Sequence, residues 1–167
     1  MAVVNETKVT AEPGKQVILI EREFDAPREL VFEAFTDAEL FVEWMGPNRL
    51  SMDLQIFDAR DGGAWRYVSK DPNGNGEYAF CGTFHEVTAP ERIVQTFEFL
   101  GMPQRGHVTL ETAVFESLPG DRTVVKMESV FRSVADRDGM LQSGMEGGMN
   151  ESFERLTKLL GTLKAKQ

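Results

Sequence analysis

The stretch Asp136–Lys164, DRDGMLQSGMEGGMNESFERLTKLLGTLK, decides how the chain is read. Leu141, Met145, Met149, Phe153, Leu156, Leu160 and Leu163 recur at steps of three and four residues. That spacing lines them along one face of a long helix from Asp136 to about Lys164. Gly144, Gly147 and Gly148 interrupt it, and each glycine inside a helix costs roughly 1 kcal/mol relative to alanine. Such a cost implies a use: close backbone approach, room for a ligand, or a hinge. The competing reading is that the helix begins only near Asn150.

Upstream the period is two. Gln16–Phe24, Leu50–Ala59, Ala64–Lys70, Glu77–Val87, Arg92–Phe99, His107–Glu116 and Thr123–Phe131 are strand-like. Asp61-Gly62-Gly63, Asp71 to Gly76, Ala89-Pro90, Gly101 to Pro103 and Pro119-Gly120 punctuate them. Consecutive hairpins of this kind build an antiparallel sheet. A sheet must cover its apolar face, and the terminal helix is the element long enough to do so. The expected fold is therefore α+β: a curved antiparallel sheet of about six or seven strands wrapped around a long C-terminal helix.

Two short helices follow the first strand. Pro27 suits a first turn, with Asp25 as a candidate cap, and Leu30, Val31, Ala34 and Phe35 supply an apolar stripe. In TDAELFVEWMGP (Thr36–Pro47), Thr36 and Asp37 precede Glu39 as helix-start residues, and Gly46-Pro47 stops the turn. This second piece carries Trp44 and Met45, expected as a lid at one end of the sheet–helix junction. Residues 1–14 have no sustained period and are expected as a loose tail, leaving 15–167 as one domain.

Composition narrows the function. The 167 residues carry 18 Lys plus Arg against 27 Asp plus Glu, a net charge of −9. That balance argues against nucleic acid, whose phosphates must be neutralised, and against anionic membranes. The single cysteine, Cys81, excludes an intrachain disulfide. No secretory signal or membrane-length apolar run is visible, so a cytoplasmic location is expected.

Four phrases resemble the START-like, SRPBCC superfamily, and most closely the subgroup named after the activator of the heat-shock protein 90 ATPase. They are FDAPRELVFEAFTDAELFVEWMGP (24–47), DARDGGAWRYVSKDPNG (58–74), GTFHEVTAPERIVQTFEF (82–99) and GMNESFERLTKLL (148–160). The resemblance implies the helix-grip fold and a cavity between the concave sheet face and the long helix. Trp44-Met45 stands where relatives often carry Trp-Trp, and Gly148-Met149 where they often carry Gly-Trp. Each change trades a rigid ring for a flexible thioether.

Strand alternation nominates the lining. Trp65 and Tyr67 share a face, as do Phe80 and Phe84, then Phe97 and Phe99. Val108, Leu110, Val125 and Met127 continue the set, and Met145, Met149 and Phe153 face it from the helix. Trp44 and Met45 would close the mouth. The alternative is that all of these interdigitate as an ordinary core. Arg66, between Trp65 and Tyr67, is expected on the opposite face. His85 and His107 are expected at the surface, and no metal, cofactor or catalytic constellation is marked; Cys81 and His85 stand about 13 Å apart along a strand. Three functions follow: binding of a small lipid-like or aromatic molecule; a chaperone-regulating interaction module of the stress response; and a cyclase- or isomerase-type enzyme. The chaperone module would expose Leu40, Phe41 and Trp44. The chain would act as a monomer or homodimer.

Overall fold

The computed structural model describes residues 5–166. Eight antiparallel strands form one sheet: β1 (Lys8–Thr10), β2 (Val17–Phe24), β3 (Ser51–Phe57), β4 (Ala64–Lys70), β5 (Glu77–Thr88), β6 (Arg92–Phe99), β7 (Thr109–Leu118) and β8 (Arg122–Val130). Their spatial order is β1-β2-β8-β7-β6-β5-β4-β3. From β3 to β8 each strand pairs with the next, as successive hairpins require, and β2 returns to pair with β8. The count exceeds the expected six or seven because Lys8–Thr10, read from sequence as part of a loose tail, pairs with Leu19–Glu21 of β2. The first four residues of that expected tail lie outside the described residues.

The helices are α1 (Arg28–Thr36), α2 (Ala38–Trp44), α3 (Val134–Gln142) and α4 (Met145–Ala165). The expected single terminal helix is thus two. Gly144 has φ of +83° and forms the N-cap of α4, a conformation that non-glycine residues rarely adopt. Gly147 and Gly148 are helical, yet open space surrounds the position of a Cβ at each, so close backbone approach does not explain them.

Asp37 caps α2 by accepting from the Leu40 N–H at 3.1 Å. The expected capping by Asp25 is not found: α1 starts at Pro27 without a side-chain cap. Asp25 instead accepts from Arg122 Nε at 2.7 Å. The Trp44 indole fills the junction of α1, α2 and α4 and is fully buried. Its Nε1 donates to the Ala34 carbonyl at 2.8 Å, satisfying one of the acceptors that the end of α1 leaves free. Phe35, Phe41 and Phe153 pack on the same ring. Trp44 is therefore a core residue and not the lid expected from sequence, because α1 lies beside α2 and covers it.

Arg155 of α4 fastens the end of α2, donating to Glu43 O at 2.7 Å and Gly46 O at 3.0 Å. Ser152 Oγ accepts from the Gly46 N–H at 2.9 Å. α2 and α4 are thus joined by shared aromatic and polar contacts at one end.

Candidate functional site: a half-open aromatic cleft under the sheet

Pairing register fixes which side chains face the helices. Tyr67 lies opposite Phe80 and Phe80 opposite Phe99; Gln95 lies opposite Glu111, and Glu111 opposite Ser129. Alternation then puts Trp65, Phe97, Thr109, Ala113, Phe115, Val125 and Met127 on this same concave face. Its two ends differ. Around Phe24, Phe84, Phe115, Val125, Phe153 and Leu156 the space between sheet and α4 is solid core. Phe84 and Phe153, nominated as lining, belong there.

Towards β5, β6 and β7 the packing loosens. Trp65 and Tyr67 are buried, whereas Phe80, Phe97, Phe99, Ala113 and Met127 face inward and are only half-buried. Met145 and Met149 continue the Phe153 face of α4 at steps of four residues and are also half-buried, as is Met45 at the end of α2. The rings form a continuous tilted series: Trp65–Tyr67 at 5.6 Å, Tyr67–Phe80 at 5.2 Å, Phe80–Phe97 at 5.5 Å and Phe80–Phe99 at 5.2 Å between centroids. Gly82 makes this possible. A Cβ there would collide with the Thr96 carbonyl and the Trp65 indole, so the ring lies flat on glycine backbone.

Shallow surface depressions of about 350 and 270 Å³ lie beside α1 with Pro90 and beside the C-terminal half of α4. Met45, Met127, Met145 and Met149 are partly buried and packed against the core, and their unbranched thioethers move at low cost.

Leu110 is a correction. Register places it on the convex face with Val108, 46% and 37% exposed. The strand phase is set by Thr109, Glu111, Ala113 and Phe115, which point inward. Sequence reasoning therefore missed Glu111. Gln95 Nε2 donates to its carboxylate at 3.1 Å. Burial pushes the Glu111 pKa up to about 6, against the opposing pull of hydrogen bonds from Gln95 and Ser129. Burial first, and the Glu111 charge second, raise the Tyr67 phenol well above its ordinary value. The Trp65 Nε1–H has no hydrogen-bond partner among the described residues. Arg22 was missed as well; it points inward from β2, over the Phe24 and Phe153 rings at 5.7 and 6.0 Å, and donates to Thr7 Oγ1.

Arg66 lies on the convex face and donates to Gln55 Oε1 at 2.8 Å. His85 is exposed, and half-buried His107 contacts Asp136 through Nδ1 at 2.9 Å. Among the described residues, no His, Cys, Asp and Glu side chains are grouped to hold a metal ion. No described helix is long and apolar enough to cross a membrane.

The family model described as Activator of Hsp90 ATPase homolog 1-like protein matches residues 25–161. The chain belongs to this family. Solved structures similar to this AHSA1 chain include a Staphylococcus epidermidis protein, 29% identical with a TM-score of 0.79, covering 92% of this chain and 94% of that one. A protein from Arthrobacter aurescens is 26% identical with a TM-score of 0.82, covering 93% and 91% respectively. An AHSA1 protein from Silicibacter pomeroyi, 23% identical with a TM-score of 0.70 over 87% of this chain and 98% of its own, shares the fold. No curated protein matches the sequence.

Proposed function

We propose that the chain binds a small, largely apolar molecule in the cleft between β4–β7 and the start of α4. The observation that carries this is the row Phe80, Phe97 and Phe99: inward by register, tilted ring against ring, yet only half covered. Inward rings on a core strand are normally sealed by the covering helix, because each buries a large apolar area. The N-terminal part of α4 offers Met145 and Met149, packed against the core and half-buried, as flexible side chains that can give way to a ligand.

A chaperone-docking module would present the apolar side of α2. Phe41 and Trp44 are 8% and 0% exposed, so that surface is not offered. An acid–base enzyme finds one supporting feature in Glu111, whose pKa of about 6 suits proton transfer near neutrality. Its titratable neighbour Tyr67 is a phenol made less acidic by burial, which leaves no second group matched to return the proton. Binding is the better-supported function.

Titration with Nile red, a neutral dye whose emission rises in apolar surroundings, tests it. Saturable one-to-one enhancement is expected, lost when Ala113→Trp fills the cleft. A response that never saturates, or one indifferent to Ala113→Trp in a folded variant, would overturn the proposal.

A further inference from the structure

We propose that the ligand of this cleft carries a positively charged nitrogen, held by the Glu111 carboxylate and the π-faces of the surrounding rings. This rests on the cleft being a binding site and names the class of molecule that it takes.

Glu111 is the observation that an apolar site does not explain. Glu111 points inward yet is only half-buried, and a carboxylate stripped of part of its water is costly unless a cation or several donors meet it. Gln95 and Ser129 contribute hydrogen bonds, both from neutral groups. None of the ion pairs among the described residues involves Glu111. The inward cation Arg22 does not serve it. Arg22 pairs with Val125 and Glu111 with Ser129, four residues further along β8, a separation of about 13 Å. Burial lowers the Arg22 pKa, and the charge of Glu154 partly opposes this.

A replacement by an apolar residue would remove the cost, and the position holds a carboxylate instead. Gln95, opposite Glu111, pairs with Phe84 and is followed on the same face by Phe97, so the carboxylate lies beside the inward rings and not apart from them. Aromatic faces next to an anion form the environment that attracts ammonium groups, through the ring quadrupole and direct ion pairing together. The same carboxylate repels fatty acids and other apolar anions. The net charge of −9 adds a long-range preference in the same direction.

Three molecules with one eight-carbon body separate the outcomes: octylamine, octanol and octanoate, each titrated at pH 7.5 by calorimetry. Octylamine is expected to bind at least tenfold tighter than octanol, and octanoate weakest. Glu111→Gln is expected to abolish the amine preference while retaining octanol binding, and Glu111→Asp, which keeps a carboxylate, to retain part of the preference. Equal binding of all three, or tightest binding of octanoate, would overturn the cationic ligand and leave the apolar cleft standing. An amine preference unchanged in folded Glu111→Gln would overturn it equally. Failure of all three to bind, with no saturable Nile red response, would remove both proposals.

Discussion

Gln95 and Glu111 meet side by side on neighbouring strands, amide to carboxylate at 3.1 Å, on the concave face of the sheet. The contact joins a neutral donor to an acid that burial has made reluctant to ionise. The free protein therefore holds a charge that its own residues only partly compensate.

The first prediction concerns that charge. The native pKa of Glu111, about 6, lies above its ordinary 4.5, so the folded state holds the proton more tightly than the unfolded state between these values. Stability must fall as pH rises through that window. The span corresponds to about 2 kcal/mol. Glu111→Gln should stabilise the protein by up to about that amount at pH 8 and leave it unchanged at pH 4. Urea denaturation at the two pH values measures this; equal effects at both would refute it.

Glu98 on the outer face shows the opposite sign. Arg105 donates twice to its carboxylate at 3.0 Å and the Gly106 N–H once at 2.7 Å. These bonds, with the side-chain pair to Arg105 strongest, hold its pKa at about 2. Its contribution is present above pH 4.5 and is lost as pH falls towards 2. Carbon-13 NMR titration of the Glu98 carboxyl should find a midpoint well below the other glutamates. Glu98→Gln should lower the melting temperature at pH 7 and not at pH 2.

Trp44→Phe should destabilise the fold by about 2–4 kcal/mol, because it leaves the Ala34 carbonyl unpaired and opens space beside Phe153. Thermal unfolding followed by circular dichroism reads this. A loss under about 0.5 kcal/mol, the size of an ordinary surface change, would show that Trp44 does not hold α1, α2 and α4 together.

Gly82→Ala tests the seat of the aromatic wall. The added methyl meets the Thr96 carbonyl and the Trp65 indole, so the strand or the ring must shift. A loss of about 1–3 kcal/mol is expected, with a changed Trp65 emission maximum measured in a Trp44→Phe background. An unaltered spectrum would mean that the indole does not rest on that glycine.

The architecture was legible because period changes sharply along the chain, from two in the strands to three and four after Asp136. The phase of β4, β5 and β6 was legible too, since Trp65 with Tyr67, and Phe97 with Phe99, leave one face strongly apolar. In β7 both parities carry apolar residues: Val108, Leu110 and Val114 on one side, Ala113 and Phe115 on the other. The large Leu110 suggested the wrong face, and the register with β6 and β8 decides the matter. The signal for the right phase was the pair Ala113 and Phe115, at the price of accepting an inward glutamate. Local rules fail most often where a site needs them to. Trp44 was read as a lid with ordinary core as the alternative; the core position depends on α1 covering it, and the crossing of two helices is not written in either one.

The chain supplies its own reporters for the central claim. Of its eight methionines, Met45, Met127, Met145 and Met149 are half-buried and would border the proposed cleft, while Met102 stands on an outer loop, 43% exposed. Carbon-13 methyl labelling of methionine, with octylamine added stepwise, should move the resonances of Met127, Met145 and Met149 saturably and leave Met102 in place. Shifts confined to Met102, or none at any methionine while the protein stays folded, would contradict a ligand site beneath the sheet.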